Sequence, residues 1–287
     1  MDSDDTRAAT PTATAIDAPH AAALLNTATW LDVRDQPRFA SGHLPGAGNV
    51  PVAEWTERRH ELPPPQEHVI VVADDAASAR EAAERLASLG YHDVAWLTAP
   101  WESLALAASR DPAAPLWKPA PFLERLLPAI PRGRALDVAC GAGREAVFLA
   151  RNGFEVEAWD HDSEALSRAR ALAIRHGANI RTSAVDLEAQ IPPVIAEAKY
   201  ALIVCFRYLH RPLFPLLLSA LAPGGHLVYE TFREGQERYG RPRRPRFLLR
   251  SGELREAFGA LDILEYEETE REGGPVTARL HARKPLR

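Results

Sequence analysis

LDVACGAGREAVFLARNGFEVEAWDHD, residues 136–162, is the stretch that decides the fold. A short apolar run ends in Asp137, a turn carrying Gly141 and Gly143 follows, and a helical pattern runs from Arg144 to Gly153. A second apolar run then ends in Asp160, 23 residues after Asp137. Glycines without a Cβ let the backbone approach a ligand closely. A carboxylate at the tip of the second strand can accept both hydroxyls of a ribose. Strand, glycine turn, helix and acid-tipped strand together predict a doubly wound, mostly parallel α/β sheet with a nucleotide-like ligand at its edge.

Two ligand classes share that outline. A nicotinamide enzyme would carry the full G-x-G-x-x-G set, which is absent here. It would also keep negative charge away from its pyrophosphate, whereas Asp137 stands directly before the glycines. S-adenosylmethionine has no phosphate and carries an ammonium and a sulfonium, so an acid there attracts it.

Working outward, the pattern continues on both sides. PFLERLLPAI (121–130) reads as a helix, and SEALSRARALAIRHG (163–177) as a helix with Ser163 as N-cap and Gly177 beyond its end. IRTSAVD (180–186), ALIVCF (201–206) and HLVYETF (226–232) read as further strands. Upstream, TWLDVR (29–34), HVIVVAD (68–74) and VAWLTA (94–99) read as buried parallel strands, with an amphipathic helix at 77–90. Prolines crowd residues 109–121 and disfavour regular structure. The expected organisation is a disordered tail at 1–15, a first domain at 16–108, a linker at 109–116 and a second domain at 117–287.

Composition narrows the function classes. Of 287 residues, 46% are hydrophobic and 25% charged, as in globular domains. Residues 1–110 hold 8 basic and 16 acidic side chains, while the remainder is net +3, so neither half offers a polyanion a strongly basic surface. Cys140 and Cys205 belong to no ligand pattern, so no metal site is expected. No apolar run reaches the roughly 20 residues of a membrane span, and the first residues lack the features of a secretory signal. A cytoplasmic protein is expected. Its partners are a small-molecule substrate and, as a homodimer, a second copy of the chain; nucleic acid and membrane are not among them.

The run CG-x-GR, followed by LA-x-x-G and V-x-A-x-D, resembles class I S-adenosylmethionine-dependent methyltransferases, and within them the tellurite-resistance and related small-molecule enzymes. The resemblance implies S-adenosylmethionine as cofactor, with Asp137 near its amino-acid end and Gly141 and Gly143 against its backbone face. It places Asp160 on the ribose, Asp186 and Leu187 at the adenine, and Phe206 near the methionine sulfur. Ala139 departs from the glycine many relatives have there, and binding is expected to survive the change.

LDVRDQPRFASGHLPGAGNVPVAEW (31–55) resembles the rhodanese family, through Asp32, Arg34, Phe39, Gly42, His43, Pro45, Gly46, Asn49 and Pro51 among others. In that family the nucleophilic cysteine follows the strand read here as VIVVA. Asp74 stands there instead, followed by Asp75. The resemblance therefore implies a catalytically inactive rhodanese-like domain with a structural or regulatory role, in which Asp32, Arg34 and His43 hold the sheet.

Substrate selection is expected from the N-terminal helix of the second domain and from the loops after its fourth and fifth strands. Trp117, Phe122, Tyr208, Tyr239 and Phe247 are candidate pocket residues. The segment 233–255 is rich in arginine, and Arg241, Arg243, Arg244 and Arg246 are candidates for holding an anionic substrate. A thiolate or other chalcogen acceptor needs no general base; a hydroxyl or amine does, and His210 and Glu230 are the candidates. A regulatory protein that binds the cofactor without turnover stands as the alternative to a methyltransferase.

Overall fold

The computed structural model describes residues 13–189, 197–271 and 273–286. The chain divides into two compact units, 1–118 and 119–287.

The first unit is an all-parallel five-stranded sheet. Its elements are β1 (Thr14–Ile16), α1 (Ala18–Ala23), β2 (Thr29–Asp32), α2 (Gln36–Ser41), β3 (Gly48–Asn49), β4 (Val69–Val72), α3 (Ala76–Ser88) and β5 (Val94–Leu97). The strand order is β1-β5-β4-β2-β3. β4 is buried at every position, as a strand covered on both faces must be. Its Val69 and Val71 face one core with Leu31, Trp55 and Leu86; Ile70 and Val72 face another with Trp30, Phe39 and Leu97. In α3, Ala79, Ala82, Ala83, Leu86 and Ala87 are buried, a helical stripe that lays the helix on the sheet.

Two expectations are corrected here. The tail does not extend to residue 15, because Thr14–Ile16 pairs with Ala95–Leu97 as an edge strand; residues 1–12 of that tail lie outside the described residues. Residues 109–116 are no free linker. Ser109 bridges His43, the Ala114 amide donates to the Ala47 carbonyl, and Leu116 is buried against the first unit. A Cβ on Gly48 would stand 2.3 Å from Leu116 Cγ, so glycine is what lets this segment dock.

The second unit contains α4 (Pro121–Leu126), β6 (Arg134–Val138), α5 (Arg144–Arg151), β7 (Glu155–Asp160), α6 (Ser163–Arg175), β8 (Ile180–Ala184), β9 (Tyr200–Phe206), α7 (Phe214–Ala220), β10 (Leu221–Phe232), α8 (Glu253–Ala257), β11 (Asp262–Glu270) and β12 (Val276–Arg283). The sheet runs β11-β12-β10-β9-β6-β7-β8. β10, β9, β6, β7 and β8 are parallel; β12 lies antiparallel to β10 and to β11. Strand order reverses between β6 and β9, which opens a crevice at the carboxyl ends of these strands, where ligands bind in such folds. This is the doubly wound, mostly parallel α/β sheet that the sequence pattern predicts, preceded by a smaller α/β unit. The N-cap of α6 is Asp162, one residue before Ser163: its carboxylate accepts the Glu164 amide at 2.9 Å, a geometry the shorter serine does not reach from inside the helix. Leu136, Ile203 and Leu227 face one core, and Ala135, Leu202, Val204 and Val228 the other.

Candidate active site

The turn after β6 is built from residues in the left-handed region: Ala139 at φ 57°, Gly141 at 53° and Gly143 at 79°. Ala139 adopts the conformation that the more usual glycine takes without strain. A Cβ on Gly141 would meet nothing within 4 Å, so its bare face looks into open space. Gly143 has a different reason. A Cβ there would stand 2.6 Å from Ala169 Cβ, so this glycine lets α5 and α6 pack.

Asp160 holds the turn. Its Oδ2 accepts the Gly141 amide at 2.8 Å and its Oδ1 accepts the Asp162 amide at 3.0 Å. The sequence pattern gives it only a ligand role; the structure adds a structural one. Asp137 is buried at the end of β6, and its Oδ2 has no hydrogen-bond partner. Burial, then the nearby Glu145 and Asp160 carboxylates, raise its pKa well above the usual range. A buried acid with an unpartnered oxygen among other acids suits an ammonium group, and the open face at Gly141 suits a closely approaching ligand. The residues fit S-adenosylmethionine on these two observations.

A cleft of about 530 Å³ lies here, lined by Ala139, Asp160, Asp186, Leu187, Phe206 and Tyr208 among others. A second cavity of about 770 Å³ is lined by Tyr208, Leu209, Phe232, Arg241, Pro242, Arg243, Arg244 and Phe247. Glu188, Arg207 and Tyr208 line both, which makes the two spaces neighbours. The Tyr208 hydroxyl is buried without a hydrogen-bond partner, and burial raises its pKa.

The structure sorts the remaining candidates. Tyr208, Arg241, Arg243, Arg244 and Phe247 converge on the second cavity. Trp117 does not: it is buried, lines neither cavity, and its stretch, up to Lys118, belongs to the first unit. Phe122 is buried in the core beneath Arg125 and Arg279. Tyr239 is 41% exposed and reaches Glu270, and Arg246 stacks on Phe247. His210 and Glu230 line neither cavity. Glu230 is half-buried, and burial raises its pKa against the opposing pull of Arg279, Arg207 and Arg271. Arg207 is the residue the pattern reading missed. It sits at φ 57° at the tip of β9, and the only signal in the sequence is its place directly after that strand.

The corresponding turn of the first unit is closed. Arg38 forms an ion pair with Asp74, and Asp75 accepts both the Ser78 amide and the Ser78 hydroxyl at the start of α3. The Ser78 amide bond holds the Asp75 carboxyl below the usual range. Asp32 and Arg34 form the expected buried ion pair, and Arg34 also donates to the Gly42 carbonyl.

Comparison with known proteins accounts for both units. Residues 126–274, more than half of the chain, match the family model of the tellurite resistance protein TehB. The chain belongs to the TehB family. Residues 17–106 match the rhodanese-like domain, so the chain is a rhodanese-like domain followed by a TehB-like S-adenosylmethionine-dependent methyltransferase domain. Among relatives, the uncharacterized protein UNK4.09 of Schizosaccharomyces pombe is 25% identical over 83% of this chain and 88% of its own length. The probable S-adenosyl-L-methionine-dependent methyltransferase TehB of Haemophilus influenzae is 25% identical over 47% of this chain and 48% of its own. The trans-aconitate 2-methyltransferase of Rhizobium meliloti is 36% identical over 39% and 44%. The chain thus spans about half or less of the last two. The solved structure of TehB from Haemophilus influenzae superposes with a TM-score of 0.48 at 23% identity, over 57% of this chain and 61% of that one. Among the described residues, no helix is long and apolar enough to cross a membrane, and no group of three or more metal-ligating side chains is assembled.

Proposed function

We propose that the second unit transfers a methyl group from S-adenosylmethionine to a small anionic acceptor, a thiol or another chalcogen species. The carrying observation is the arginine-lined cavity adjoining the cofactor cleft. When bound, S-adenosylmethionine supplies an electrophilic methyl: the acceptor's electron pair forms the new bond as the carbon–sulfonium bond breaks, and that bond's pair stays on the departing sulfur. Asp137 would hold the ammonium, Asp160 the ribose, Asp186 and Leu187 the adenine, and Phe206 the sulfur end. Among the described lining residues Glu188 is the acid, set against four arginines, so the cavity is net cationic. The guanidiniums favour an acceptor that is already an anion, and they lower the pKa of a thiol. Leu209, Phe232 and Phe247 keep water from the acceptor.

The first unit is, in this reading, a rhodanese-like domain without sulfur-transfer chemistry. Asp74 replaces the nucleophile, and the Asp75 carboxylate occupies the helix N-terminus where an anionic sulfur donor would sit. Its role is structural or regulatory.

The test is S-adenosylhomocysteine release by the purified full chain with a panel of thiols, oxyanions and phenols, for the native protein and for Arg241→Gln/Arg243→Gln/Arg244→Gln. The triple variant should raise the acceptor KM, flatten the salt dependence and keep cofactor affinity within about threefold. Cofactor binding with no turnover on any acceptor would replace this reading with that of a regulatory S-adenosylmethionine-binding protein.

A further inference from the structure

The proposed acceptor cavity is larger than a bare inorganic anion needs, and part of its wall is apolar. A simple oxyanion or hydrosulfide displaces only a few waters, about 30 Å³ each. The cavity measures about 770 Å³, and Tyr208, Leu209, Phe232, Pro242 and Phe247 supply apolar wall. An inorganic anion would leave that wall uncovered.

The charges argue in the same direction. Among the described residues, Arg207, Arg241, Arg243 and Arg244 have no ion pair. Several arginines elsewhere in the unit are paired, Arg211 with Glu253, Arg238 with Glu270 and Arg279 with Glu267, and what sets these four apart is that they converge on one cavity. Methylation consumes the charge of a thiolate. Four guanidiniums aimed at the nucleophilic sulfur alone would stabilise the ground state more than the transition state and slow the transfer. They serve better on a spectator anion that keeps its charge throughout. Arg207 is placed for this. Its amide donates to the Glu230 carbonyl at 2.8 Å, which fixes the tip of β9. Its left-handed backbone is the kind of strained conformation that concentrates at functional sites. It lines both the cleft and the cavity.

We infer that the acceptor is an organic thiol on an apolar, ring-sized body bearing a second, permanent negative group, with Arg207 seating that group at the junction of cavity and cofactor cleft. The inference rests on the methyl-transfer reading above. In the transfer, the thiolate pair forms the sulfur–methyl bond, the sulfonium becomes the neutral thioether of S-adenosylhomocysteine, and the second anion is unchanged.

Three acceptors test it on the full chain with S-adenosylmethionine: 2-mercaptobenzoate, thiophenol and sulfide. The expected kcat/KM for 2-mercaptobenzoate exceeds that for either other acceptor by at least about tenfold. Arg207→Gln should reduce the preference for 2-mercaptobenzoate over thiophenol by at least about fivefold, and Arg207→Lys should keep part of it. That ratio is blind to cofactor affinity, because both acceptors meet the same cofactor. Phe247→Ala should reduce the preference for thiophenol over sulfide. Sulfide methylated as well as 2-mercaptobenzoate, or an unchanged ratio in Arg207→Gln, would overturn the inference while leaving methyl transfer intact. No S-adenosylhomocysteine from any acceptor, with the cofactor shown to bind, would sink both.

Discussion

In the first unit the turn after β4 enters α3 through Asp75, whose carboxylate caps the helix, while Arg38 pairs with Asp74. In the second unit the turn after β6 enters α5 through Gly143, which has no side chain to offer as a cap. Both turns leave a central parallel strand and open a helix whose first amides lack intrahelical partners. One satisfies its donors with its own carboxylate. The other keeps its backbone bare at Gly141 and is held from a distance by Asp160. A strand-to-helix turn becomes a ligand site when the chain leaves it unfilled and supports it from elsewhere.

The largest test of that contrast is Asp160→Ala. With Asp160 on the ribose, as proposed, its loss should weaken cofactor binding by about 1.5–3 kcal/mol, roughly 10–150-fold in Kd. Because the same carboxylate accepts the Gly141 and Asp162 amides, the melting temperature of the cofactor-free protein should fall as well. Calorimetry and a thermal melt read the two effects separately. A melting temperature equal to the native one would mean that the turn supports itself and that the contrast is misdrawn.

Asp137→Asn should move stability and affinity in opposite directions. Burial raises the Asp137 pKa in the folded state, so its ionisation costs stability as pH rises through that raised value. The amide removes the cost. The cofactor-free variant should therefore melt higher than the native protein at neutral pH and lose the corresponding pH dependence. Its cofactor affinity should fall about tenfold, roughly 1.4 kcal/mol, because in the proposed site the ammonium loses its counter-charge. A variant that binds as tightly as the native protein would remove Asp137 from the cofactor site.

The smallest expected change is none at all. Asp74→Cys should give no thiosulfate:cyanide sulfurtransferase activity, because Asp75 still occupies the start of α3. Thiocyanate formed above a no-enzyme blank would show that the cap yields, and the closed turn would then be a weaker barrier than its geometry suggests.

What the sequence made legible was local. The glycine turn, the acids before and after it, and the two-domain order follow from residue types at short spacing. The rest depends on closures across the chain that no local pattern carries. Asp160 bonds an amide 19 residues away, and Gly143 answers to Ala169. Trp117 looks like a pocket aromatic beside the second domain, yet its segment belongs to the first. Tyr239 and Arg246 share a loop with Arg241 and Arg244, but the path of that loop turns only some of its side chains toward the cavity. Arg207 is, in the sequence, one arginine after a strand, and only its left-handed backbone distinguishes it.

The seating of Leu116 over Gly48 has a practical corollary for dissection. A cut between residues 111 and 112, where prolines invite it, would strip the first unit of Leu116 and leave the second trailing that apolar side chain without its seat. Divided after Lys118 instead, each half keeps the side chains that its own interior was built around.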